Sequence, residues 1–253
     1  MTSRDGAVAV IRLNRPDRLN AVDEAMITEL RAVLEAANLD PDVRALTMIG
    51  SERSFTSGAD PTLFHRDLDR APETAARLVD AFHGMLRSVR AMPKPVIARL
   101  SGSVVVGGLG LALACDLCVM ADNARLISAY SKIGTNPDAG TTWSLTHHLG
   151  RRRSLEVMWL NDPIGAQEAL SLGLVNRVVP QSRLESETLA VAKRIADGPP
   201  GTTGRIKSLV DQACVSDLAA QLDREKAEFV AAAGSREFRE GITASFEKRP
   251  AQF

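Results

Sequence analysis

The chain has 253 residues, 45% of them hydrophobic and 25% charged, the balance of a soluble domain large enough to bury a core. Lysine plus arginine and aspartate plus glutamate each number 31, so no global field draws nucleic acid or an anionic membrane. The longest apolar run, Val104 to Cys115, is shorter than the ~20 residues that span a bilayer, and no signal-peptide pattern opens the chain. A cytoplasmic protein is the expectation.

Ala7–Leu13 reads as a first strand and Asn14-Arg-Pro-Asp17 as a turn. Met26, Leu30, Val33 and Leu34 then fall at helical spacing, with Asp23 as cap. Arg44–Ile49 is a second strand, followed by a polar loop that ends in Gly58-Ala-Asp60. Ala75–Ala91 is a helix carrying Leu78, Val79, Phe82, Leu86 and Val89 on one face, and Pro93 and Pro95 stop it.

Pro95–Leu100 is a buried strand, and Leu109–Cys115 is apolar all round, as in a buried helix. Gly102, Gly107 and Gly108 lie between them. A strand, a glycine turn and a helix start leave unpaired N–H groups that suit a phosphate or the oxyanion of a reacting carbonyl. The spacing is neither GxGxxG nor a P-loop. Cys115 and Cys118 form a CxxC with no second pair, which reads as small buried residues rather than a zinc site. His65, His147 and His148 show no ligand pattern, and no metal is implied.

Leu117–Ala121 is a strand and Arg125–Ser128 a short extended piece; Tyr130–Thr142 is a loop. Helices resume over 143–149, 154–160 and 167–172, then a short strand over 174–179. From Glu185 the pattern is helical throughout. Alternating strands and helices predict an α/β fold with mostly parallel pairing. The division expected is a core over residues 1–195 and a helical C-terminal oligomerisation region over 196–253.

Several stretches together resemble the crotonase superfamily, the enoyl-CoA hydratase/isomerase family. They are Asn14-Arg-Pro-Asp17 with Leu19-Asn-Ala21, Ser54-Phe-Thr-Ser-Gly-Ala-Asp60, and Lys94-Pro-Val-Ile-Ala98 leading to Gly107-Gly108 and Ala114-Cys-Asp116. Ala169–Val179 and Phe246-Glu-Lys-Arg249 also fit. The resemblance implies a spiral of ββα units with a helical C-terminal region, assembled as a homotrimer or dimer of trimers. It implies an acyl-CoA thioester as substrate, with coenzyme A part of that substrate and no separate cofactor. By motif position, the N–H groups of Ala59 and Gly107 form the oxyanion hole. Arg18, Ala21, Ser57, Asp60, Leu63, Gly108 and Gly110 fall in the substrate-binding segments, and Leu63, Phe64, Leu78, Phe82 and Trp143 are candidates for an acyl pocket.

One departure bears on the chemistry. Hydratases of the family carry two glutamates, and at those positions this chain has Gly110 and Tyr130. The remaining carboxylate is Asp138, in a loop resembling that of isomerases in which one aspartate moves the proton. An apolar acyl pocket would strip it of water and strengthen it as a base. Asp138 also reads as a cap for the following helix. His83, on the helix before Pro93, resembles the base of a dehalogenase-like branch in which the loop aspartate is the nucleophile; there Tyr130 replaces a tryptophan. Asp138, His83 and Tyr130 are thus the candidate catalytic side chains. The leading expectation is an enoyl-CoA isomerase; a dehalogenase-like or hydrolytic enzyme and a catalytically degraded acyl-CoA-binding protein are the alternatives.

Overall fold

The computed structural model describes residues 2–253 and sorts the apolar runs into two sheets. In chain order the first elements are β1 Thr2–Asp5, β2 Val8–Arg12, α1 Glu24–Leu39, β3 Ala45–Ile49, β4 Ser54–Thr56, α2 Thr62–His65 and α3 Ala71–Ala91. Next come β5 Val96–Leu100, β6 Ser103–Val105, α4 Gly107–Ala114, β7 Leu117–Ala121, β8 Arg125–Ile127 and α5 Thr141–Leu160, which is broken at Gly150. The chain ends with β9 Ile164–Gly165, α6 Ala166–Ser171, β10 Arg177–Val179, α7 Leu184–Ala196, α8 Pro200–Ala213, α9 Leu218–Ala233 and α10 Arg236–Glu247.

The larger sheet runs β1-β2-β3-β5-β7-β10 and the smaller β4-β6-β8-β9. From β2 to β10 every pair in the larger sheet is parallel, as are β4–β6 and β6–β8. The chain therefore lays a strand in the large sheet, a strand in the small one and a helix, and repeats: β3-β4-α3, β5-β6-α4, β7-β8-α5. This is the spiral of ββα turns that the resemblance implies. Parallel strands covered on both faces read as unbroken apolar runs, and all of β3 is buried. Asp23 caps α1 as expected, its Oδ1 accepting from Met26 N–H at 2.9 Å.

Helix α4 is buried along its length, so no polar stripe marks it in the sequence. Cys115 and Cys118 are buried free thiols at its end, and burial pushes Cys118 up to about 12, which keeps it inert. Helix α7 packs on the large sheet. Helix α8 is tied to the core by Lys207, whose Nζ lies 3.0 Å from Asp116, and by an Asp211–Arg90 ion pair. Burial raises the Asp116 carboxyl above its ordinary range despite the opposing pull of Lys207. Helices α8 to α10 leave Val210, Leu218, Phe229 and Phe246 exposed. Among the described residues, no helix is long and apolar enough to cross a membrane.

Candidate active site

Two chain segments converge where β4 and β6 end. Beyond β4, buried Asn20 fixes the loop: its Nδ2 donates to the carbonyls of Ser54 and Phe55 at 3.0 and 3.1 Å. Thr56 Oγ1 donates to Asn20 O at 2.8 Å and accepts from Gly58 N–H at 3.1 Å. Val22 N–H donates to Gly58 O, and Asp60 N–H to Val22 O. This bridge alternates, so Ala59 N–H faces the other way, with no protein acceptor among the described residues.

The second segment is the start of α4. Gly107 is its first residue, and first-turn N–H groups have no partner within a helix. Gly58, at φ +83°, presses the loop onto this helix start: a Cβ on it would lie 2.9 Å from Val106 Cβ and 3.1 Å from Gly107 N. Ala59 and Gly107 thus line one small cleft, with Val22, Leu78, Val79, Phe82, Val106 and Asp138.

A half-buried ion pair holds the loop from behind. Arg15 Nη2 lies 3.2 Å from Asp60 and Nη1 lies 3.0 Å from Asp23, while Nη1 also donates to Ala21 O. Burial works to raise the Asp60 carboxyl, but hydrogen bonds from Thr62 and the Arg15 guanidinium outweigh it and hold the group below its ordinary value.

Opposite stands the loop between β8 and α5. Tyr130 is buried there, and its hydroxyl donates to Asp138 Oδ1 at 2.5 Å. Burial, the Asp138 charge and this bond all push the phenol far above its usual range, so it stays a donor. Asp138 Oδ1 lies 3.8 Å from where a Gly107 Cβ would stand, which puts the carboxylate beside the free N–H groups. The chain then turns through Ala139 at φ +55° and Gly140 at φ +69°. His83 secures that turn: its Nε2 accepts from Ala139 N–H at 3.1 Å, so the ring proton sits on Nδ1.

The family profile described as Enoyl-CoA hydratase/isomerase matches residues 3–253. The chain belongs to the enoyl-CoA hydratase/isomerase family. It is 32% identical over 249 residues to the 1,2-epoxyphenylacetyl-CoA isomerase of Escherichia coli K12, covering 97% of this chain and 94% of that one. It is 34% identical to a Rhodobacter capsulatus protein named probable enoyl-CoA hydratase, with the same coverage. The crystal structure of an enoyl-CoA hydratase from Polaromonas sp. JS666 superposes with a TM-score of 0.97 at 32% identity, over 100% of this chain and 98% of that one.

The fold of this family member brings together Ala59, Gly107, Asp138 and Tyr130, with His83 one bond behind them. Of the other expected residues, Leu78 and Phe82 also line this cleft. A Cβ on Gly108 would sit 2.5 Å from Thr56 O, and one on Gly110 would sit 2.4 Å from Ala139 O and 2.5 Å from Ala139 Cβ. Both glycines therefore pack too closely on neighbouring backbone to carry a side chain. Asp60 is turned inward onto Arg15 and Thr62. Arg18 is exposed, Ser57 and Leu63 are half-buried, and Ala21 is buried with its carbonyl on Arg15. Trp143 stacks on His147 under Arg90, in a separate cleft of about 650 Å³ that begins beyond His83 and Ala139. Asn20 and Arg15 are the residues sequence reasoning missed. The Asn-Arg-Pro-Asp and Leu-Asn-Ala stretches contain them, but only the fold shows that they brace the Gly58–Asp60 loop. Among the described residues, no group of three or more His, Cys, Asp or Glu could hold a metal ion.

Proposed function

We propose that the protein is an acyl-CoA isomerase that moves one proton with Asp138 while Ala59 and Gly107 N–H groups hold the thioester oxygen. With a 3-enoyl ester, the Asp138 carboxylate takes a proton from C2 and the electron pair flows into the carbonyl. The resulting dienolate oxygen is held by the two N–H groups. Asp138 then returns the proton to C4 and the double bond settles between C2 and C3. One carboxylate serves as base and acid in turn, and each oxyanion donor contributes about 3–4 kcal/mol to the barrier reduction. Tyr130, fixed as a phenol, orients the carboxylate.

The observation that carries this reading is the packing of Gly110 on Ala139. A carboxylate side chain at position 110 has no room unless the Asp138 turn moves. Tyr130 fills the other glutamate position, so the two-carboxylate route for adding water has neither of its groups. The relative named 1,2-epoxyphenylacetyl-CoA isomerase supports an isomerase outcome and extends the candidate substrates to epoxyacyl esters. The hydrolytic alternative needs His83 Nε2 free to activate water, and that atom already accepts from Ala139.

The test is a product analysis on 3-enoyl-, 2-enoyl- and 2,3-epoxyacyl-CoA esters. Isomers without 3-hydroxyacyl products support the proposal. Hydration as the main reaction contradicts it, and tight ester binding with no turnover on any substrate would point to a binding protein. The exposed apolar side chains of α8 to α10 support assembly as a homotrimer or dimer of trimers, which light scattering of the purified chain checks.

A further inference from the structure

Val106 stands at φ +53° and ψ −124°, and among the described residues it is the one β-branched side chain at positive φ. Those angles belong to the first central position of a type II′ turn, where glycine sits freely and a branched Cβ collides with its own backbone. The surroundings over-determine the strain. Val106 N–H donates to Ile127 O at 3.1 Å, Leu109 N–H donates back to Val106 O at 3.0 Å, and Val106 Cβ presses against Gly58. Strained residues persist at functional sites when the side chain does something glycine cannot.

Its position indicates what that is. Val106 immediately precedes Gly107, whose N–H meets the thioester oxygen, so it flanks the carbonyl carbon and the carbon next to it. The cavity at that point is only about 30 Å³, against about 650 Å³ for the cleft beyond His83. Apart from Ala59, Gly107 and the Asp138 carboxylate, its other walls are Val22, Leu78, Val79 and Phe82, all apolar.

We infer that Val106 is a specificity-determining residue: its branched side chain fills the space beside C2, so the site accepts acyl groups unbranched there and refuses α-methyl ones. This rests on the oxyanion-hole reading above but not on the role of Asp138.

The test compares wild type with Val106→Gly and Val106→Ala in two measurements. The first is thermal stability. Both variants lose the two γ-methyl groups, so the gap between them reports the backbone conformation and the one Cβ methyl. At an ordinary position glycine is the less stable of the two; here Val106→Gly should melt at least about 2 °C above Val106→Ala. The second is the ratio of dissociation constants for butyryl-CoA and 2-methylbutyryl-CoA. One methyl group in an apolar pocket discriminates by about 10- to 200-fold, so wild type should prefer butyryl-CoA by tenfold or more and both variants should lose most of that preference. Alanine as stable as glycine, or an unchanged ratio in both variants, overturns the inference and leaves the acyl-CoA reading standing. A wild type that binds neither ester overturns both.

Discussion

The two walls of the cleft are made of different material. On one side Ala59 and Gly107 present main-chain N–H groups, and polar residues, buried Asn20, Thr56 and Asp60 with half-buried Arg15, brace them. On the other side Asp138 and Tyr130 present side chains from a loop that turns through left-handed residues at Ala129, Gly134, Ala139 and Gly140, and His83 on α3 holds that turn. The backbone wall follows from the strand ends and the start of α4, so any chain with these motifs can build it. The side-chain wall hangs on single residues and, in the proposed reaction, decides what happens to the enolate once it is held. Substitutions should therefore fall hardest on the second wall and leave binding by the first intact.

The largest effect expected is from Asp138→Asn. Loss of a general base costs about 10²- to 10⁴-fold, and steady-state kinetics should show this in kcat with acyl-CoA binding retained. Gly110→Ala comes next. Its new Cβ would strike the backbone of Ala139, and displacement of a reacting group by about 1 Å costs about 10²-fold. A variant with full activity would show that the Asp138 turn is not fixed by this packing. Tyr130→Phe removes the hydrogen bond to the carboxylate, an interaction of about 1.5–3 kcal/mol, so turnover should drop by about 10- to 100-fold. His83→Ala frees only one neutral bond, so a loss of about tenfold or less is expected. His83→Gln, which can still accept, should recover most of it; equal loss in both variants would favour a more direct chemical role for the ring.

Much of this contrast is visible in the sequence, but unevenly. β3, β5 and β7 are five-residue apolar runs and read directly as buried strands. β1 is polar and mostly exposed, and β4, β6 and β9 are only two or three residues long, too short for any periodicity. Of these, β4 and β6 carry the chain to the cleft, so the site is poorest in local signal where it matters most. Asp138 and the two glycines of the oxyanion stretch stand out through their motifs. The Ala139–His83 bond joins residues 56 apart, and nothing local announces it. The stretch between Leu100 and Leu109 reads as a glycine turn, yet the residue that takes the strained conformation there is Val106.

The backbone wall makes one smaller prediction. The Asp60 carboxyl is held below its unfolded value, so its contribution is present above about pH 4 and is lost as pH falls through the folded value. The gap in urea midpoint between wild type and Asp60→Asn should be present at pH 7 and shrink below about pH 4. A gap that does not change with pH would mean that the Arg15–Asp60 pair does not brace the loop.

The separation of the two walls is tested most directly by solvent-deuterium exchange into 3-enoyl-CoA and saturated acyl-CoA esters, with wild type beside Asp138→Asn. Exchange in wild type that vanishes in the variant while ester binding persists is the result this account predicts. Exchange that survives in Asp138→Asn would place the base elsewhere and contradict it.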